Sequence, residues 1–230
     1  MNLENRAALV LGAGRGEGRT IAESLAAAGA FVACFDFSPM HAEQTAAAIR
    51  QAGGRARAYS GDVIKKIAFQ TVINQVTDDF GEERLDILVS AVHVAPQVHM
   101  LRLDEWDWHR GLDSNLTLPF LAAQVVGRIM QTHGGGVMLF VGRSSPYPES
   151  VVYHAGKMGL LGLARHAAQA LAPYHIRVHL LWPDAKTAPP EARPAAEVTP
   201  FPVGQPWPVG QIALWLVDPA QQRTGLILRP

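Results

Sequence analysis

Tyr153 and Lys157 stand four residues apart in the run Val151–Ala172, whose apolar spacing predicts a helix. That spacing puts both side chains on one face. A lysine cation beside a phenol favours the phenolate and lowers its pKa, so such a pair can give and take a proton near neutral pH. A surface tyrosine beside a surface lysine is the plainer alternative. Asn115 lies four residues before Pro119, within Leu103–Met130, which reads as one long helix interrupted by the proline. Proline has no N–H to donate, so the carbonyl of Asn115 is left without its usual helical partner. A simple packing kink is the alternative reading of Pro119.

A second constellation sits near the N-terminus. The apolar stretch Ala7–Gly12 runs into Ala13-Gly14-Arg15-Gly16-Glu17-Gly18, followed by an alanine-rich helix to about Ala28. Gly12, Gly16 and Gly18 allow a tight turn and close backbone approach to a pyrophosphate, and the helix N-terminus favours the anion. Arg15 and Glu17 lie inside the same turn. Asp36 ends the next apolar run, Phe31–Phe35, where a carboxylate accepts hydrogen bonds from ribose hydroxyls and repels a 2′-phosphate. This pattern, between a strand and a helix, predicts a dinucleotide site and favours NAD over NADP. Arg15 pulls the other way, since a guanidinium suits a phosphate, and Phe37 adds no second positive charge.

The elements that must position these residues alternate along the chain. Strands are expected at 7–12, 31–35, 56–59, 85–91, 135–141, 176–182 and 225–228. Helices are expected up to 28 and at 41–52, 67–80, 103–130, 151–172 and 209–217. Buried strands alternating with helices predict an α/β fold: one doubly wound Rossmann domain over 1–230 with a parallel sheet of about seven strands. Residues 183–208 carry many of the prolines and no periodicity, and read as a substrate-lid loop within that domain.

Composition excludes other classes. Of 230 residues, 48% are hydrophobic and 17% charged, with 20 basic and 20 acidic side chains. A net charge of zero offers no field for nucleic acid or an anionic membrane. The low charge content, against about 25% in ordinary soluble chains, suggests surface hidden in a homo-oligomer. The single cysteine, Cys34, reads as a core residue and forbids an intrachain disulfide. Met1–Arg6 is polar, unlike a signal peptide, and no apolar run is long enough for a membrane span. A cytoplasmic location is expected. The nine histidines show no metal-ligand spacing, so no metal is expected. Trp106 and Trp108 read as helix-packing residues.

The glycine spacing, Tyr153-x-x-x-Lys157, Asn115 and Ile176-Arg177-Val178 together resemble the short-chain dehydrogenase/reductase family from Leu9 to about Leu228. That resemblance implies hydride transfer between a nicotinamide and a carbonyl or alcohol substrate. Tyr153 would then exchange the proton with the substrate oxygen, and Lys157 would also bind the nicotinamide ribose. The backbone carbonyl of Asn115 would hold a relay water, and Asp62-Val63 would match the family's adenine-contacting pair. Ser90-Ala91-Val92-His93, with Ala91 against the cofactor, would line the cleft. A homotetramer or dimer is implied as well.

The chain also departs from that family. Leu11 stands where the glycine motif has threonine, and Asp184 where a glycine follows Pro183. His93 replaces a glycine, and either crowds the cofactor or adds a polar group facing the substrate. Counting back from Tyr153 to the family's active-site serine gives Phe140; aligning the strand ends gives Gly142. Neither side chain donates a hydrogen bond. Ser144 would lie on the same side as Gly142 but roughly 6–7 Å further along a continuing strand, and is the candidate substitute; Ser145 would face the other way. Two functions follow: an oxidoreductase using Tyr153, Lys157, Asn115 and Ser144, or a catalytically impaired dinucleotide-binding protein serving as sensor or oligomer partner.

Overall fold

Strand β1 (Ala7–Leu11) is buried along its whole length. Ala7, Leu9 and Leu11 enter one hydrophobic core, whereas Ala8 and Val10 enter a second. An unbroken apolar run is what a strand covered on both faces requires. The same two-sided burial holds for β2 (Phe31–Phe35), β4 (Ile87–Ser90) and β5 (Gly136–Val141). The structure, a computed structural model, describes residues 2–81, 83–142, 150–183, 193–194 and 209–229.

With β3 (Arg55–Tyr59), β6 (Ile176–Leu181) and β8 (Ile227–Arg229), these form seven parallel strands in the order β3-β2-β1-β4-β5-β6-β8. A two-residue strand, β7 (Arg193–Pro194), extends the edge beside β8, pairing with Leu228 and Arg229. The expectation of 183–208 as wholly irregular is corrected at those two residues; 184–192 and 195–208 lie outside the described residues. One core holds the sheet against α1 (Gly16–Ala27), α2 (Pro39–Gln51) and α7 (Val209–Val217). The other holds it against α3 (Lys66–Phe80), α5 (Leu118–Thr132) and α6 (Val151–Leu171). The doubly wound Rossmann fold is therefore present.

Several boundaries shift by a residue or two, and two of the differences have clear reasons. Helix α2 begins at Pro39 rather than His41, because Ser38 caps it, accepting from the His41 N–H at 3.4 Å, and proline suits the first turn. The single helix expected over 103–130 is divided. Asp104 caps α4 (Glu105–Leu112); a π-helical turn, Asp113–Thr117, follows before α5. In that turn the Leu118 N–H reaches the Asp113 carbonyl, and the wider register accommodates Pro119, which has no N–H to offer. Trp106 is not a packing residue: it is 66% exposed, with the Arg110 guanidinium 5.1 Å above its ring. Trp108 is half-buried.

Candidate active site

The strand order reverses between β1 and β4, which opens a crevice beyond their C-terminal ends, where such sheets bind ligands. The glycine turn forms one lip. Gly12 has φ +80°, and a Cβ there would lie 2.6 Å from the Ala91 carbonyl oxygen on the other lip. A Cβ on Gly18 would run into the Gly12 carbonyl, so helix α1 packs this close only on glycine. The Gly12 and Ala13 N–H groups both donate to the Phe35 carbonyl at 2.9 Å, and the Thr45 hydroxyl donates to the Ala13 carbonyl at 2.9 Å.

Asp36 stands just beyond β2 and accepts from the Gly14 and Ser38 N–H groups, each at 3.0 Å. It therefore shapes the glycine turn itself, and each carboxylate oxygen keeps acceptor capacity for another donor. Gly14, which sequence reasoning passed over, leaves room for this contact: a Cβ would sit 2.6 Å from Asp36 Oδ2 and 2.5 Å from His41 Cβ. Arg15 and Gly16 are exposed at the start of α1, and no side chain caps that helix end. A glycine-lined helix start without a side-chain cap is what a pyrophosphate needs. Glu17 is half-buried, Asp62 exposed, and Val63 and Ala91 buried. These residues fit a dinucleotide.

The other lip carries the proton chemistry. Tyr153 and Lys157 lie on α6, 1% and 2% exposed, with Lys157 Nζ 5.6 Å from the centre of the tyrosine ring. Lys157 Nζ donates to the Val92 carbonyl at 2.7 Å. Burial pulls its pKa down from 10.5 to about 7, and Glu17 partly opposes that shift. Asn115, fully buried in the π-helical turn, donates from Nδ2 to the Val94 and Gly111 carbonyls at 2.6 and 2.8 Å. Its Oδ1 accepts from the Val94 N–H at 3.2 Å. His93, between these anchors, places Nδ1 3.2 Å from the Tyr153 hydroxyl oxygen. The structure thus brings Tyr153, Lys157, Asn115 and His93 together at the end of β4.

Gly142 closes β5, and the register that pairs Val141 with Leu181 brings it beside Trp182. A Cβ on Gly142 would lie 2.6 Å from Trp182 Cζ3 and 2.8 Å from Cδ2, and nearer still to Cε3. The indole occupies the space a side chain at 142 would need. The pairing was readable from the two strand ends; the ring's position was not. Ser144 and Ser145 lie outside the described residues. A cavity of about 520 Å³ opens at the opposite edge of the sheet, lined by Arg6, Asp86, His133 and Arg177. Arg6 pairs with Asp86 there, and Arg177 donates to carbonyls at the end of α7. It is remote from the glycine turn and takes no part in the site. Among the described residues no three His, Cys, Asp or Glu side chains gather as metal ligands, and no helix is long and apolar enough to cross a membrane.

A family model described as short chain dehydrogenase matches residues 6–191. An uncharacterised oxidoreductase of Thermotoga maritima is 33% identical over 186 residues, covering 80% of this chain and 72% of that one. The D-threitol dehydrogenase of Mycolicibacterium smegmatis is 32% identical over 184 residues, covering 79% and 70%. Among solved structures, a short-chain type dehydrogenase/reductase from Mycobacterium marinum superposes with a TM-score of 0.82 at 26% identity, covering 99% of this chain and 94% of that one. A hydroxysteroid dehydrogenase from Escherichia coli superposes with a TM-score of 0.80, also at 26%, covering 99% and 96%.

Proposed function

The chain belongs to the short-chain dehydrogenase family and is an oxidoreductase of that type, and from that premise we propose that it interconverts a small carbonyl compound and its alcohol, with NAD as cofactor and Tyr153 as acid/base. The observation that carries this reading is the meeting of Tyr153, Lys157 and Asn115 at the end of β4, across the crevice from the glycine turn. When bound, the cofactor supplies or takes a hydride at the nicotinamide ring.

In this reading Gly12, Arg15, Gly16, Glu17 and Gly18 hold the pyrophosphate, Asp36 the adenosine ribose, and Asp62 and Val63 the adenine. Ala91, Tyr153 and Lys157 hold the nicotinamide half. Asp36 favours NAD because a carboxylate accepts from ribose hydroxyls and repels a phosphate; NADP is the less favoured cofactor. Tyr153 passes its hydroxyl proton to the forming alkoxide. Lys157 in its ammonium form lowers the cost of the phenolate left behind. Asn115 holds the Val94 peptide, and with it the cleft wall, in place. Ser144 is retained as a candidate donor to the substrate oxygen.

We also propose a homo-oligomer, tetramer or dimer, built through α4, α5 and α6, on which Trp106, Phe120 and Met158 are exposed. A cytoplasmic setting suits the one free, buried cysteine, Cys34. The second reading, a dinucleotide-binding protein without turnover, is favoured by Trp182 filling the space beside Gly142. Fluorescence titration with NADH and NADPH, then a panel of small ketones, aldehydes and alcohols, separates the two. Tighter NADH binding with turnover that Tyr153→Phe abolishes supports the oxidoreductase. NADH binding with no turnover supports the second reading, and tighter NADPH binding refutes the role given to Asp36.

A further inference from the structure

Val92, His93 and Val94 form a tripeptide that Lys157, Tyr153 and Asn115 all contact. Lys157 Nζ holds the Val92 carbonyl at 2.7 Å. Asn115 grips the Val94 peptide through both its amide atoms, at 2.6 and 3.2 Å. Both neighbours of His93 are therefore pinned, and its ring is delivered to the Tyr153 hydroxyl at 3.2 Å. A phenol carries one proton. If that proton goes to the substrate oxygen, a second donor must restore it. Lys157 does not touch the hydroxyl: its nitrogen lies over the ring face, 5.6 Å from the centroid, and acts on the phenol through its charge. At Gly142 the indole of Trp182 leaves no room for a side chain. Among the described residues, the imidazole is the titratable group in hydrogen-bond contact with the tyrosine oxygen.

Building on the oxidoreductase reading above, we infer that His93 is the direct proton partner of Tyr153. In carbonyl reduction, the Tyr153 O–H bond breaks as the substrate oxygen gains its proton. The Nδ1–H bond of the His93 imidazolium then breaks to restore the tyrosine hydroxyl. This leaves neutral imidazole with its remaining proton on the buried Nε2, and Nδ1, on the part-buried side that faces Tyr153, regains a proton from water once product has left. In alcohol oxidation the order reverses: the alcohol proton passes to the tyrosine oxygen, the tyrosine proton to Nδ1, and the imidazolium proton to water. The hydride that balances either direction belongs to the cofactor. The described charged and titratable groups around this contact are Tyr153 and Lys157 of α6, with Glu17 of α1 acting on Lys157. The His154 ring packs edge-on against Tyr153, 5.9 Å away.

The first test needs no substrate. NMR titration of the histidine rings in the ligand-free protein should show a His93 midpoint that moves by about half a pH unit or more in Tyr153→Phe. An unmoved midpoint overturns the inference. In the active enzyme, His93→Ala should lower kcat by about 10²-fold or more, within the usual range for an acid/base group, and flatten one limb of the pH profile. The NADH dissociation constant should stay within about threefold of wild type. His93→Gln, which keeps a hydrogen-bonding side chain but cannot titrate, should be as slow, and added imidazole should restore part of the rate of His93→Ala. Wild-type kcat and pH profile in His93→Ala, or loss of turnover in Ser144→Ala but not in His93→Ala, overturns the inference and leaves the oxidoreductase reading standing. NADH binding with no turnover in wild type overturns both.

Discussion

Replacing Gly142 by alanine tests whether the Trp182 ring is a fixed wall. The new methyl would meet Cζ3 at 2.6 Å and Cδ2 at 2.8 Å, against about 3.5–4.0 Å for an ordinary carbon contact. Cε3 is nearer still, so the ring must retreat by about 1.5 Å or more. Trp182 is only 5% exposed and belongs to the core between the sheet and α5 and α6, so its retreat displaces other side chains. Overpacking of this kind costs about 1–3 kcal/mol, and we expect the upper end, a fall in Tm of about 6–12 °C for a chain of this size. Trp182→Ala alone should cost about 3–5 kcal/mol, the usual figure for emptying a buried aromatic site. In the double variant the added methyl enters the vacated space, so the Gly142→Ala penalty should fall below about 1 kcal/mol. Urea unfolding followed by far-UV circular dichroism, which does not depend on the lost indole, gives all corners of this cycle. Gly142→Ala within about 0.5 kcal/mol of wild type, or strictly additive penalties, would show that the ring swings freely and that the wall is not fixed.

Other predictions follow from the same geometry. Lys157 has its folded pKa pulled down from 10.5 to about 7, so between those values the unfolded chain binds the extra proton and stability rises with pH. Wild type should gain on the order of 2 kcal/mol between pH 7 and 9 relative to Lys157→Met; parallel urea curves at both pH values would contradict the burial of that ammonium. Gly14→Ala pushes a methyl against Asp36 and His41 and should raise the NADH dissociation constant about tenfold, a loss of about 1.4 kcal/mol. Unchanged affinity in that variant would mean the turn adapts without its contact to Asp36. Cys34 is fully buried, and burial pushes its thiol up to about 12, so iodoacetamide should label it only in denaturant; fast labelling of the native protein would count against the packing of β2.

Most of the fold was legible because its signals are local. The two-sided burial of β1 and β2 shows as unbroken apolar runs, and Gly81, with φ +82°, ends α3 where its residue type says it should. The division of 103–130 was half legible: Pro119 marked the break, but the π-helical turn depends on how the chain recovers its hydrogen bonds around it. The site was legible as residue types and less so as contacts. Tyr153 and Lys157 could be named from spacing, and Asn115 from the family resemblance. The placing of His93 against the tyrosine hydroxyl requires a loop after β4 to return to α6, and no periodicity encodes that. Gly14 was hidden among three other glycines of the same turn, since its need for a bare Cα comes from Asp36, a residue just beyond the next strand.

The grip of Asn115 on residue 94 is made wholly to peptide atoms, the N–H and the carbonyl of Val94. What is held there is therefore a length of main chain, indifferent to the side chain it bears. Asn115 itself excludes only proline at 94, which has no N–H for its Oδ1; the packing of the Val94 side chain on the core separately favours apolar residues there. At Asn115 the demand is reversed. Aspartate presents only acceptors to the Val94 carbonyl, and leucine presents nothing, so the amide is the side chain that can meet both the N–H and the C=O of one residue. A library randomised at these two positions and selected for dinucleotide retention should come back apolar but without proline at 94 and nearly invariant at 115.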